Sequence, residues 1–272
     1  MFANPLVIPT LILAVILFIF GQALAKKVNS CRGWWWLMVL FAVLCLPGLS
    51  FITCYLHLVR DPLWYLEFRS MPYCEVLSAC WGLLFGFIVG KWPERGRLAY
   101  PLFIIGMLLA FVPFAKSILL PAEISGRLTD NWQRNVCLQS GGPTCGPASL
   151  ATIFSAYEMR KTQREIAVAS FACARSTESW YLVRYARRCG FRSVYLNELN
   201  LTRIPTPAIL GTGAERAGHF VVLFSAKDGK VSIGDPLHGS MEMTEDKFLG
   251  SYGFHGFAIA VQKLSEIDTH FR

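Results

Sequence analysis

Gln139-Ser140-Gly141-Gly142-Pro143-Thr144-Cys145-Gly146-Pro147-Ala148-Ser149-Leu150 is the stretch on which the fold of this 272-residue chain turns. Gly146-Pro147 fits a helix entrance, because proline there gives up an N–H that has no partner to lose. Ala148–Tyr157 continues in a helical pattern, with Leu150, Ile153, Phe154 and Tyr157 on one buried stripe. Cys145 therefore stands where a helix begins. The positive end of the helix dipole favours a thiolate at such a position, and the thiolate is the nucleophilic form of cysteine. A buried structural cysteine is the plain alternative.

Reading outward, Thr162 followed by Glu165 is a capping-box start for a second helix through Ser170. Ser176–Cys189 gives a third helix, closed by Gly190. Strand-like runs follow at Phe191–Leu196, Pro207–Leu210, His219–Ala226, Lys230–Gly234 and Gly256–Gln262, with a short helix over Thr244–Ser251 between the last two. Helices first and an antiparallel sheet afterwards is an α+β plan.

Two downstream signals join Cys145. Gly218-His219-Phe220-Val221-Val222-Leu223-Phe224 opens a strand on a histidine where a bare core would take Val or Ile, and Ile233-Gly234-Asp235-Pro236 follows. A nearby imidazole can activate the thiol and protonate a leaving amine. His238, His255 and His270 are rival bases, but only His219 is followed by a hairpin ending in a carboxylate. The length of that hairpin decides whether the two side chains can meet. A two-residue Asp228-Gly229 turn sets Asp235 opposite Val222 and points it to the face away from His219. A three-residue Lys227-Asp228-Gly229 loop, with Gly229 in the left-handed region, sets Asp235 opposite Val221. His219 and Asp235 then become diagonal neighbours on one face, and the carboxylate can fix the imidazole tautomer. The three-residue loop is therefore the expectation. Gln139, six residues before Cys145, can add its side-chain N–H to the Cys145 backbone N–H to hold an oxyanion.

Gln139, Cys145-Gly-Pro-Ala-Ser-Leu, Gly-His219-Phe-Val-Val-Leu and Gly-Asp235-Pro, in this order, resemble the bacteriocin-processing cysteine peptidases. That family cuts leader peptides after a Gly-Gly pair and has a papain-like fold. The likeness covers about half the chain, residues 132–263. It implies Cys145 as nucleophile, His219 as base, Asp235 as orienter and Gln139 as oxyanion donor. The organisation departs from family members fused to exporters, which carry the peptidase first, then six spans and an ATP-binding domain.

Here the apolar half comes first. Pro5–Ala25, Trp34–Leu58, Cys74–Gly90 and Leu98–Leu120 are four stretches near the ~20 apolar residues that a spanning helix needs. The first is no secretory signal, since no basic residue precedes it and its apolar core is too long. Pro47, Pro101 and Pro113 are tolerated in spans, and Trp34, Trp35, Trp36, Trp64 and Trp92 lie near their ends, as interfacial aromatics do. The first loop holds Lys26, Lys27 and Arg32, and the third Lys91, Arg95 and Arg97; the second holds only Arg60 and Arg69, balanced by Asp61 and Glu67. The basic loops face the cytoplasm, so the second loop and the C-terminal half are expected outside. His57, Asp61 and Glu67 are candidates for a substrate or partner role in this half, with ordinary loop residues as the plain alternative.

Composition sets further bounds. Residues 1–120 carry nine Lys/Arg against four Asp/Glu, and residues 121–272 carry 17 against 14. The basic excess thus belongs to membrane topology, and a nucleic-acid partner is not expected. The nine cysteines include no Cys-x-x-Cys pair and no cluster at zinc spacing, so no metal is expected. Cys137, Cys173 and Cys189 leave a disulfide open. No phosphate loop occurs, Gly211-Thr-Gly-Ala-Glu reads as a turn, and no cofactor is expected.

The expectation is a four-span helical membrane domain over 1–120, a linker over 121–131 and an α+β papain-like cysteine peptidase domain over 132–272. Such a protein belongs in a bacterial inner membrane, multi-pass, with a periplasmic or extracellular catalytic domain. Its partners are the lipid bilayer, a small secreted or surface peptide or protein as substrate, and a separate exporter or secretion component. An acyl transferase or isopeptidase on the same fold, where an amine replaces water, and a non-catalytic peptide-binding receptor are the alternatives.

Overall fold

The computed structural model describes residues 4–28, 33–54, 61–120, 130–174, 176–213 and 218–264. His57, Arg32, Arg60, His270 and positions 121–129 of the expected linker lie outside the described residues. The chain forms two compact units that part between Leu119 and Leu120.

In the N-terminal unit, four helices are long and apolar enough to cross a membrane: Val7–Lys27, Trp34–Thr53, Cys74–Lys91 and Gly96–Leu119. The second is made of two segments, Trp34–Leu44 and Leu46–Thr53, and Pro47 falls in the first turn of the latter, where it costs no hydrogen bond. Apolar side chains such as Ile8, Ile12, Ile16 and Ile19 are exposed along the first helix, a surface suited to lipid. The first and third helices meet backbone to backbone. A Cβ on Gly82 would run into the Ala14 carbonyl oxygen, and one on Gly86 into that of Phe18; one on Gly90 would sit 2.7 Å from the Gln22 carbonyl oxygen. Three glycines at four-residue spacing thus clear one face of the third helix. In lipid, where apolar contact gives helices no preference for each other over the solvent, close approach of this kind drives association. Gly86→Leu is expected to lower the thermal midpoint of the N-terminal unit in detergent by about 5 °C, as overpacking does. An unchanged midpoint would mean that the close approach contributes little.

Arg69 does not behave as a loop charge. It ends the short helix Leu63–Ser70, is fully buried, and its Nη2 lies 3.5 Å from Glu75 Oε1, also fully buried. Its guanidinium stands over the Phe51 ring at 4.7 Å. The chain reverses between the two through Tyr73, whose φ of 62° makes the turn tight. Counting loop charges could not show this, because the count carries no information on which charges fold inward.

In the C-terminal unit, the strands are β1 (Asn131–Gln133), β2 (Val136–Leu138), β3 (Phe191–Asn197), β4 (Ala208–Thr212), β5 (His219–Lys227), β6 (Lys230–Asp235), β7 (Gly239–Thr244) and β8 (Phe257–Lys263). β1 and β2 form an antiparallel hairpin that begins at Asn131, the last residue of the expected linker; the other six make one antiparallel sheet in the order β3-β8-β4-β5-β6-β7. β7 has no counterpart among the expected strands, although Met241 and Met243 alternate with polar residues as an edge strand would. The helices are Cys145–Ala156, Gln163–Ala169, Ser179–Arg188 and Glu245–Tyr252. The Thr162 capping box forms as expected: Thr162 Oγ1 accepts from the Glu165 N–H at 3.1 Å, and Glu165 Oε2 from the Thr162 N–H at 3.0 Å.

The Cys145 helix is buried from Cys145 through Phe154 rather than along one stripe. It lies against the sheet, with Ser149 Oγ donating to the Phe220 carbonyl at 3.2 Å and Phe154 packed on Phe191 at 4.8 Å between ring centroids. Val221, Leu223, Val231 and Ile233 form a core on the other face with Phe248 and Phe254, which closes the short Glu245–Tyr252 helix over the sheet.

Candidate active site

The loop before Cys145 is tied down at every step. Thr144 Oγ1 donates to the Gly141 carbonyl at 2.8 Å and accepts the Gly141 N–H at 3.2 Å. Thr177 Oγ1 donates to the Pro143 carbonyl at 2.9 Å. Gln163, fully buried, bridges the loop entrance: its Nε2 donates to the Leu138 carbonyl at 2.9 Å and its Oε1 accepts the Ser140 N–H at 3.1 Å. Gly146 leaves no room for a side chain, since a Cβ there would lie 2.7 Å from Leu182 Cδ1 and 3.3 Å from Phe220 Cδ2. Cys145 is thereby fixed as the first residue of its helix, 6% exposed.

The hairpin corrects the expected three-residue loop. Lys227 pairs with Lys230, so the turn is the two residues Asp228 and Gly229, with φ of 52° and 69°. Positive φ at both is what a primed turn requires. By itself this turn would send Asp235 to the wrong face. A β-bulge at Phe224, between Leu223 and Ser225, adds one residue to β5 and restores the register to Leu223↔Ile233 and Val222↔Gly234. Asp235 then falls opposite Val221, the position the longer loop was invoked to provide. Bulges beside functional sites commonly re-aim a side chain in this way. Gly234 makes the bulge possible: a Cβ there would lie 2.9 Å from Phe224 Cε2.

His219 and Asp235 accordingly meet. His219 Nε2 lies 2.8 Å from Asp235 Oδ1, and the Cys145 thiol is near enough to act on the same imidazole. With Nε2 committed to the carboxylate, Nδ1 is the nitrogen left for the sulfur. Cys145, His219 and Asp235 are thus brought together from a helix and two strands. Burial acts to lower the His219 pKa, but the bonds to Asp235 and Cys145 outweigh it and raise the value to about 9. Burial likewise acts to raise the pKa of Asp235, which is 1% exposed, yet four donors hold the carboxyl far below the usual range. These are His219 and the Leu237 N–H (2.8 Å) on Oδ1, and His238 Nδ1 (2.9 Å) and Tyr252 Oη (2.9 Å) on Oδ2. The arrangement favours an imidazolium beside an ionised carboxylate, the state in which a histidine can hand on a proton.

Gln139 is attached to the same corner through its backbone, whose N–H donates to the Pro236 carbonyl at 2.9 Å. Its side-chain Nε2 donates to the Gly141 carbonyl at 3.2 Å. One N–H of that amide remains for another acceptor. His238 is not a rival base but a partner of Asp235, and Tyr252 joins the cluster without any signal in the sequence, because its helix is placed by the sheet core. Cys137, Cys173 and Cys189 are free thiols. Among the described residues, no group of three His, Cys, Asp or Glu side chains is placed to hold a metal ion.

Residues 133–266 match the model of the Peptidase C39 family. The C-terminal domain is a Peptidase C39 domain. Solved structures similar to it include the peptidase domain of Streptococcus ComA, a bi-functional ABC transporter involved in a quorum-sensing pathway. It is 21% identical, covers 47% of this chain and 98% of that one, and has a TM-score of 0.43. A double glycine motif protease from an AMS/PCAT transporter, in complex with the leader peptide, is 22% identical, covers 53% and 99%, and has a TM-score of 0.43. The N-terminal peptidase C39 like domain of the toxin secretion ATP-binding protein from Vibrio parahaemolyticus is 18% identical, covers 45% and 98%, and has a TM-score of 0.37. No curated protein matches the chain.

Proposed function

We propose that this chain is a membrane-bound cysteine peptidase that cuts a small secreted or surface peptide or protein, with a Gly-Gly pair before the scissile bond. The observation that carries the reading is the Cys145–His219–Asp235 line at the start of a buried helix. The Cys145 thiolate attacks the scissile carbonyl carbon, a C–S bond forms and the carbonyl π electrons move to oxygen. The backbone N–H of Cys145 and the free N–H of Gln139 receive that oxyanion. Collapse breaks the C–N bond, and the leaving amine takes its proton from the His219 imidazolium. His219, now neutral, removes a proton from water as it attacks the thioester; the acid product leaves and the thiolate is restored. Asp235 keeps the ring oriented throughout and stabilises its charged form.

Gly-Gly specificity rests on the family likeness. Incubating the purified protein with peptides carrying Gly-Gly, Gly-Ala or Ala-Gly before the cut, and reading the products by mass, tests it. Cleavage after the second glycine alone is expected; equal cleavage of all three removes the specificity but not the peptidase.

The basic first and third loops support an outward-facing catalytic domain, which would place its substrate beyond the membrane and make a separate export component its partner. A reporter fused after Arg272 should be active as alkaline phosphatase and silent as a cytoplasmic reporter. The reverse result would place the peptidase in the cytosol.

A further inference from the structure

Asp235 holds more donors than its turn needs. Leu237 N–H on Oδ1 and His238 N–H on the Asp235 carbonyl, at 2.8 and 3.1 Å, already satisfy the bend before β7. The second carboxylate oxygen receives two further side chains, the Tyr252 hydroxyl and the His238 ring. They come from different elements: Tyr252 is the last residue of the helix Glu245–Tyr252, and His238 lies in the bend between β6 and β7. Tyr252 also touches the other side of the site, since its carbonyl accepts the Gly213 N–H at 2.7 Å, just past the end of β4 on the chain that leads to His219. Its ring is stacked on Phe248 at 5.0 Å, which fixes where the hydroxyl can reach. His238 has 65% of its side chain exposed, so packing does not explain its position.

We propose that Tyr252 and His238 are positioning residues that clamp Oδ2 of Asp235 and so hold Oδ1 on His219. A carboxylate bonded through one oxygen only can swing about its Cβ–Cγ bond; bonds on both oxygens stop that rotation. The titratable groups facing Asp235 are His219 from β5, His238 from the bend and Tyr252 from the helix, with Cys145 reached through His219. Losing the clamp loosens the His219–Asp235 contact, and the imidazolium then gives up its proton at lower pH than the wild-type value of about 9. The loss shows on the alkaline side of neutral pH. It vanishes in acid, where the ring is protonated with or without the clamp. The inference rests on the peptidase reading of the same site and adds to it two residues and their role.

The test follows the His219 proton and needs no substrate. The full chain in detergent, with its histidines isotopically labelled, is titrated by nuclear magnetic resonance, and the His219 ring signal is identified by its absence from His219→Asn. Tyr252→Phe keeps the stacked ring and removes only the hydroxyl. It is expected to make the His219 ring lose its proton about fivefold more readily, the factor that one hydrogen bond of ordinary net strength represents, so that its midpoint falls below the wild-type value of about 9. His238→Ala should act in the same direction, and His238→Asn, whose amide can reach the same oxygen, should recover most of that loss. A Tyr252→Phe midpoint equal to the wild type's, or higher, overturns the clamp while leaving the peptidase reading intact. A His219 signal displaced or lost at every pH marks a structural defect and also overturns it. A wild-type His219 midpoint no higher than an ordinary 6.5 overturns the clamp and the peptidase reading together.

Discussion

Cys145→Ala should abolish peptide cleavage while leaving the domain folded. The substitution removes the sulfur that the proposed mechanism uses to form the acyl-enzyme beside His219, so the rate is expected to fall by at least about 10³-fold, to a level set by binding and polarisation alone. Folding should survive because the sulfur is not what shapes the corner. The loop is held by Thr144, Thr177 and Gln163 through bonds that do not involve Cys145. Alanine is also a good helix residue at that position. Far-ultraviolet circular dichroism and thermal midpoint compared with the wild type check the fold, and turnover of a cleavable peptide checks the chemistry. Turnover above about a tenth of wild type would remove Cys145 from the nucleophile role.

Much of the site was legible because its parts are local. Cys145 could be placed at a helix entrance from Gly146-Pro147, and the Thr162 capping box from four consecutive residues. The histidine at the head of β5 stood out against the apolar run behind it. What could not be read was the path between these parts. Turn chemistry at Asp228-Gly229 argued for two residues, and the meeting of His219 with Asp235 argued for a different register. Both demands are met by a bulge at Phe224, and the residue that permits it, Gly234, is a contact across the hairpin rather than a neighbour in sequence. Tyr252 is invisible for the same reason, since only the packing of Phe248 into the sheet core brings that helix end to the carboxylate. In the N-terminal unit, hydropathy gives the four long apolar helices, but the facing of Gly82, Gly86 and Gly90 onto the first helix and the burial of Arg69 with Glu75 depend on how the chain packs.

Replacing Asp235 should separate its two contributions, orientation and charge. Asp235→Ala loses both: the His219 ring is left without its Nε2 partner, the imidazolium without its counter-charge, and cleavage is expected to fall by about 10²–10⁴-fold. Asp235→Asn keeps an oxygen that can accept the His219 N–H, so the ring stays oriented and a larger share of activity survives. Its pH profile should change more than its rate at the optimum. In the wild type, His219 carries its proton up to about 9, against an ordinary 6.5, and cleavage should fail on the alkaline side as that proton is lost. Without the carboxylate charge the limb moves down toward neutral pH. Stability follows the same signs. A histidine raised from 6.5 to about 9 contributes fully below 6.5, and its contribution fades as pH rises through 9. A carboxyl held below its ordinary 3.8 contributes fully above that value and fades as pH falls through its depressed value. The pair thus stabilises the wild type most between 3.8 and 6.5. The thermal midpoint of Asp235→Asn should lie furthest below the wild type in that window and approach it above pH 9. Equal alkaline limbs in the two proteins would mean that the His219 proton is held by something other than Asp235.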